Sequence, residues 1–295
     1  LKLKKCPSPL FEAGFFALSF TFSCRHGTIE KRQVMQMKLT LMYFSPTHTT
    51  KKVVGAVGKV LFEKFLCHTE VVDLTPALAR EREYVFGEDD VVVFGAPVYG
   101  GRVPPLLAPV LSKLQGNGAR AVVLSVYGNR DYDDALLETA DIFTERGFLV
   151  CAAGAFIGEH SYSDKVGSGR PDRDDIVAAQ SFGIIAAVKV KAGKPIAKPL
   201  HGNRPYKELG ASMTAPKPAP ALDAERCTRC GRCVSVCPVN NIAADLTDRG
   251  ACIACAACVK FCPQRAREFA DKHIAAVREK LEKNCTARRS PEFFV

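Results

Sequence analysis

The sequence predicts an α/β chain: a doubly wound, five-stranded parallel sheet followed by a small α+β module rich in cysteine. Three observations carry this. Short apolar runs alternate with helix-period segments across residues 38–191. Eight of the thirteen cysteines fall in residues 227–262, in two halves. Those halves repeat at a fixed offset of 25 residues, Cys227 onto Cys252 and Pro238 onto Pro263, which marks a duplicated unit.

Taken in order, residues 1–36 read apart from the rest. Lys2, Lys4 and Lys5 precede Phe15-Phe16-Ala17-Leu18-Ser19-Phe20, a faint likeness to a signal peptide. The apolar run is too short to span a membrane, and no small-x-small site or twin arginine accompanies it. The expectation is a poorly ordered or dispensable extension; another reading is that translation starts at Met35 or Met37 and the upstream residues are mis-called. The sheet then begins. Residues 39–44 suit a buried strand, and Val53, Val57, Val60, Leu61 and Phe65 recur at helical spacing. Val71-Val72 and residues 91–94 are the next strands. Residues 106–114, after Pro104-Pro105, form a short helix, and 121–126 a fourth strand. Asp131, Asp133 and Asp134 open a helix running to Phe143, with acids at its N-terminal end. Residues 148–153 are the fifth strand, and 172–191 the last helix, with Pro171 at its start. Five apolar strands alternating with helices give the doubly wound sheet of residues 37–192. Six prolines make 193–220 a semi-rigid linker. The cysteine module occupies 221–268. Residues 269–295 hold a helix at 270–283 and an end that frays after 285.

Composition sets the outer limits. With 295 residues and 47% apolar content, the chain can bury a sizeable core plus a small module. Of the net charge of +10, four charges belong to residues 1–36. No basic groove interleaved with aromatics points to nucleic acid. The charge reads as a solvated surface, or as a surface that attracts an acidic redox partner. Cys67 and Cys151 sit in apolar surroundings as small core residues, apart from Cys6, Cys24 and Cys285. Free cysteine beside metal-binding cysteine points to a reducing, cytoplasmic interior.

Each half of the repeat reads C-x2-C-x2-C-x3-C-P, the bacterial run for cubane iron–sulfur clusters. Zinc needs only four ligands per site and gives no reason for the third cysteine and the Cys-Pro, twice. A disulfide framework belongs to an oxidising compartment. The segment resembles the bacterial-type two-cluster ferredoxin domain, in which the fourth cysteine of each run serves the other cluster. That resemblance implies one [4Fe–4S] cluster on Cys227, Cys230, Cys233 and Cys262, and a second on Cys252, Cys255, Cys258 and Cys237.

Doubly wound sheets bind ligands beyond the carboxyl ends of their strands. Three loops there stand out: Ser45-Pro46-Thr47-His48-Thr49-Thr50, hydroxyl-rich and before a helix; residues 95–102; and residues 127–132. The latter two bring glycines and a tyrosine, suited to a flat ring. Here the chain resembles flavodoxins, and more closely the flavodoxin–ferredoxin fusion proteins of anaerobic microbes, over about residues 38–192 and 221–265. By that resemblance Ser45, Thr47, Thr49 and Thr50 hold an FMN phosphate. Pro97, Val98, Tyr99, Gly100, Tyr127, Gly128 and Asn129 contact its ring. Two departures follow: His48 stands where the loop usually has glycine, implying a strained left-handed backbone, and with no Trp any stacking falls to tyrosine.

Two tempting motifs are set aside. Residues 116–121 match G-x-G-x-x-A but precede a strand, the reverse of the dinucleotide fingerprint. Glu159-His160-Ser161 are adjacent in sequence, unlike a catalytic triad. His160 is a candidate to donate a proton or hydrogen bond to flavin or substrate, or to serve structurally. The functional reading is an electron-transfer flavoprotein that passes electrons between two clusters and FMN. Its partner would be a redox protein or small-molecule acceptor, with no nucleic acid and no membrane span. The alternatives are an iron–sulfur flavin reductase acting on a small molecule over Tyr99, Tyr127 and His160, and an iron–sulfur redox sensor.

Overall fold

The chain alternates strand and helix from β1 (Lys38–Tyr43) through α1 (Thr49–Phe65), β2 (His68–Asp73) and β3 (Val91–Pro97). It continues through α2 (Ala108–Leu111), β4 (Arg120–Tyr127), α3 (Ala135–Glu145), β5 (Leu149–Ile157) and α4 (Arg173–Ala192). The computed structural model describes residues 37–210 and 214–295, so the expectation for residues 1–36 lies outside the described residues. The five strands pair in parallel in the order β2-β1-β3-β4-β5. This is the flavodoxin-like doubly wound order, whose switch point falls between β1 and β3. Both faces of the sheet are covered, which is why its strands read as continuous apolar runs. Val91 and Val93 of β3 face the α1 and α4 side with Val53, Val54 and Phe182. Val92 and Phe94 face the other side with Leu107, Leu136 and Phe143.

Among the described residues the sheet gains a sixth strand beyond the five expected. β8 (Glu292–Phe294) adds antiparallel to β5, pairing Ala153 with Phe294 and Ala155 with Glu292. The tail is therefore ordered rather than frayed. It covers the unpaired N–H and C=O groups that an edge strand would expose. Phe293 packs on Phe156 and Phe182 at ring separations of 5.6 and 5.1 Å, and Phe294 is buried.

Acids at the helix starts play unequal parts. Asp172 caps α4, accepting from the N–H groups of Asp174 and Asp175, while the Asp175 carboxylate accepts from Asp172 N in return. Pro171 thus stands just before the cap, not inside the helix. α3 begins only at Ala135, and Asp134 makes no capping bond. Its buried carboxylate instead accepts from Asn203 N at 2.8 Å and Lys207 N at 2.6 Å. Asp141, further along α3, binds Arg204 and Tyr206. The proline-rich connector is thereby pinned along α3.

Beyond it, β6 (Ala221–Leu222) pairs antiparallel with β7 (Arg267–Glu268). Between them lie two single helical turns, α5 (Arg232–Ser235) and α6 (Ala257–Lys260), one in each half of the repeat. α7 (Lys272–Asn284) follows, its N-cap Asp271 accepting from Ile274 N at 2.9 Å. The cysteine segment packs on the carboxyl end of the sheet. The His48 and Phe261 rings lie 4.6 Å apart, Arg80 donates to Pro238 O, Lys260 pairs with Glu159, and Ser163 donates to Glu282.

Candidate functional site

The loop after β1 turns directly into α1, whose first turn holds no acid and carries Lys51 and Lys52. Such a helix start favours an anion. His48 takes φ 66°, the left-handed conformation for which glycine would be the easy choice. Ser45 is buried and its hydroxyl accepts from Lys51 N at 3.0 Å. Thr50 is fully buried, and its hydroxyl has no partner.

The loops after β3 and β4 stand beside it. Tyr99 sets its ring edge-on to Phe44, centroids 6.5 Å apart. Burial raises its phenol well above the usual range. Tyr127 is buried against Tyr132, and its hydroxyl also lacks a partner. Gly128 gives the loop after β5 close access: a Cβ there would lie 2.5 Å from Cδ2 of His160.

These loops open onto one cavity of about 460 Å³, within the usual range for a small-molecule site. Ser45, Thr47, Thr49, Thr50, Pro97, Val98, Tyr99, Gly100, Tyr127 and Gly128 all line it, as does His160. Asn129 does not. Its side chain turns into the protein, donating to the carbonyls of Cys285 and Ala287 and accepting from Arg170. Proximity to Gly128 in sequence misled here, because the tail that claims Asn129 lies 156 residues away.

Other walls were not foreseen. Thr214–Lys217 of the connector, Ala251–Ala254 of the cysteine segment, and His273, Ile274, Val277 and Leu281 of α7 close the cavity. So does Tyr162, whose ring stands edge-on to both His160 and Phe269. The helical period of α7 announced an apolar stripe, but nothing in the sequence said what it would face. Burial lowers His160 to about 4, with Lys260 and Arg130 adding to the effect. Its Nδ1 accepts from Tyr162 N, which leaves Nε2–H as a donor on a neutral ring. His160 can thus donate a hydrogen bond into the cavity, but it is not a proton source near neutral pH.

Two further cavities lie among the cysteines. One is lined by Cys227, Cys230, Cys233 and Cys262, the other by Cys252, Cys255, Cys258 and Cys237. Each takes three cysteines from one run and the fourth from the other. All eight are free. Among the described residues, no three His, Cys, Asp or Glu side chains converge as ligands of a single ion do; the cysteine sets enclose space instead. Burial pushes the Cys255 and Cys258 thiols up to about 12, so a metal's charge is needed to hold them as thiolates. Cys252 and Ile253 line both the second of these cavities and the large one.

Residues 220–243 match a 4Fe–4S binding domain family, and residues 249–266 match a second 4Fe–4S binding domain family. The chain joins a flavodoxin-like fold to two ferredoxin-type 4Fe–4S motifs. Among solved structures it is similar to oxidised flavodoxin 1 from Bacillus cereus, at 19% identity and a TM-score of 0.38, covering 52% of this chain and 97% of that one. Flavodoxin 2 from the same organism gives 16% identity, a TM-score of 0.39, and 52% and 99% coverage. Rubredoxin oxygen:oxidoreductase from the anaerobe Desulfovibrio gigas gives 18%, 0.37, and 53% and 36%. No curated protein matches the sequence. Among the described residues, no helix is long and apolar enough to cross a membrane.

The ferredoxin-type segment and the flavodoxin-like loops share one further property. Five buried side-chain polar atoms among the described residues have no hydrogen-bond partner. Four of them belong to residues lining one of the three cavities: Thr50 and Tyr127 in the large one, Asn241 and Arg267 in the cysteine pair. Buried polar groups are rarely left unpaired, so these mark places where a bound group completes the structure. The hydroxyl-rich, acid-free helix start fits a phosphate, and the glycine and tyrosine loops fit a flat ring.

Proposed function

We propose that this chain is an electron-transfer flavoprotein carrying one FMN in the large cavity and a [4Fe–4S] cluster in each cysteine-lined cavity. Ser45, Thr47, Thr49 and Thr50 hold the phosphate. Pro97, Val98, Tyr99, Gly100, Tyr127 and Gly128 take the ring, with His160 donating a hydrogen bond at its edge. Flavin supplies exchange of electrons singly or in pairs, and iron–sulfur clusters supply exchange one at a time. The protein's part is to hold these groups in one frame and to exclude water from between them. The single observation behind the reading is Cys252. Together with its neighbour Ile253 it lines both the large cavity and the second cysteine cavity, so the two sites adjoin there.

The test begins with anaerobically purified protein, which should carry one FMN and two four-iron clusters per chain. Photoreduction should then yield a flavin-reduction rate independent of protein concentration. A rate rising linearly with concentration would mean transfer between molecules and overturn the proposal. Protein with neither iron nor flavin would overturn it outright.

A further inference from the structure

Read at their 25-residue offset, the two halves of the repeat allow the cysteine cavities to be compared place by place. Thr228, Arg229, Arg232, Gln264 and Arg267 line the first cavity. Their counterparts at the 25-residue offset are Ile253, Ala254, Ala257, Val239 and Ile242, of which all but Ala254 line the second cavity. At each of these places a polar or charged side chain faces an apolar equivalent. Exposure follows the same division. Cys230 of the first set is exposed, Cys227 and Cys262 are half-buried and Cys233 is buried, whereas Cys252, Cys255 and Cys258 of the second are buried and Cys237 is half-buried.

Arg267 is the sharpest departure. It sits where the other half carries Ile242, and it is only 5% exposed. Its Nη1 donates to Pro220 O at 3.1 Å and its Nη2 to Leu246 O at 2.9 Å. Nη2 also lies 3.9 Å from Sγ of Cys233. Its Nε is buried without a partner, and the one carboxylate seen to feel its charge among the described residues, Asp248, makes no ion pair with it. A buried guanidinium in that state needs a compensating negative charge. A four-thiolate iron–sulfur cluster is an anion, and reduction adds one more negative charge.

We infer that Arg267, helped by Arg229 and Arg232, raises the reduction potential of the outer site (Cys227, Cys230, Cys233, Cys262) above that of the inner site (Cys252, Cys255, Cys258, Cys237). The inference rests on the cluster assignment of the proposed function. Each site takes one electron, with no bond made or broken. Nearby positive charge and solvent favour the added negative charge, while a more apolar, more buried surround disfavours it. Both effects point the same way here. The first electron to reach the pair therefore rests on the outer site, beside the exposed Cys230, where a one-electron carrier can reach it. The inner site, which shares Cys252 with the flavin cavity, acts as the relay.

The experiment uses the intact chain, reconstituted anaerobically with iron and sulfide, with iron per chain measured on every sample. Dithionite supplies the electrons at a series of poised potentials, and paramagnetic resonance counts the reduced sites. The wild type should reduce in two separate waves. Arg267→Ile, which copies the inner cavity, should lower the upper wave more than the lower one, since Arg267 also acts on Cys258 of the inner set, shifting the sharing of one electron between the sites at least tenfold, about 59 mV. Arg267→Lys should keep most of the gap, and Arg229→Gln, on the exposed rim, should shift the same wave by less. A single wave in the wild type would overturn the inference, whether or not Arg267→Ile folds. So would an upper wave unmoved by both Arg229→Gln and Arg267→Ile, or movement of the lower wave instead. Absence of iron would refute the proposed function, whereas full iron with unmoved waves would refute only this inference.

Discussion

Replacing Arg170 by methionine should cost the folded chain about 3–5 kcal/mol. Arg170 and Asp175 form an ion pair with side chains only 4% and 2% exposed. The Arg170 Nε donates to Asp175 Oδ2 at 2.9 Å, and Nη2 donates to Oδ1. Nη1 donates to Asn129 Oδ1 at 3.2 Å and to Arg289 O at 2.9 Å. Methionine restores most of the volume but leaves the carboxylate in a dry site. Arg288 Nη2 remains 3.7 Å from Asp175 Oδ1, which places the expected loss nearer 3 than 5 kcal/mol. In Arg170→Met with Asp175→Leu no buried charge is left. The double variant loses about 1 kcal/mol for its half of the capping box, plus the carbonyl contacts, and so should cost far less than the two single changes added together. Urea denaturation followed by far-UV circular dichroism gives each value. A loss under about 1 kcal/mol for Arg170→Met, or strict additivity in the double variant, would refute the claim that the pair is a coupled, desolvated unit.

Gly95→Ala should destabilise by about 1–3 kcal/mol and weaken FMN binding, because its Cβ would lie 2.3 Å from Val54 Cγ2 and 3.0 Å from Thr50 Cγ2; denaturation and flavin-fluorescence quenching measure the two effects. Cys262→Ser, though in the second run, should strip the same site as Cys227→Ser, so both variants should lose about half the iron and the same resonance signal. His160 is lowered from 6.5 to about 4 in the folded chain. Between those values the unfolded chain binds a proton that the folded chain refuses, so this contribution is complete above about pH 6.5 and falls as the pH drops toward 4, by up to about 3 kcal/mol. His160→Asn should flatten that slope in denaturation curves of flavin-free protein. Deleting residues 285–295 should uncover the β5 edge and strip Asn129 of both carbonyl acceptors, lowering the melting temperature and promoting aggregation, which light scattering would register.

The five parallel strands were legible because burial on both faces leaves apolar runs that need no alternation to be seen. The eight cysteines were legible because cluster ligation demands fixed short spacings. What the chain does with its ends and links was not. Glu292-Phe293-Phe294 is too short to show a period, and its strand exists only because β5 offers an open edge. The acids before α3 resembled helix-start residues, yet Asp134 spends its carboxylate on backbone of the connector some 70 residues on, at Asn203 and Lys207. Asn129 followed a ring-loop glycine and so looked like a ring contact; a long-range bond to the tail decided otherwise. Local chemistry was readable in each case, while the partner, fixed by tertiary structure, was not.

The tail strand has one more consequence. The cysteine segment departs from the sheet by way of the connector, and the chain comes back to it as β8, so the segment is belted to the same frame on both sides. A module on a single leash sweeps a cone of positions, and its partner waits for it to swing into range. A module moored at two points has no such journey to make. Thickening the solvent with glycerol should therefore leave the internal transfer rate unchanged while slowing exchange with any outside carrier.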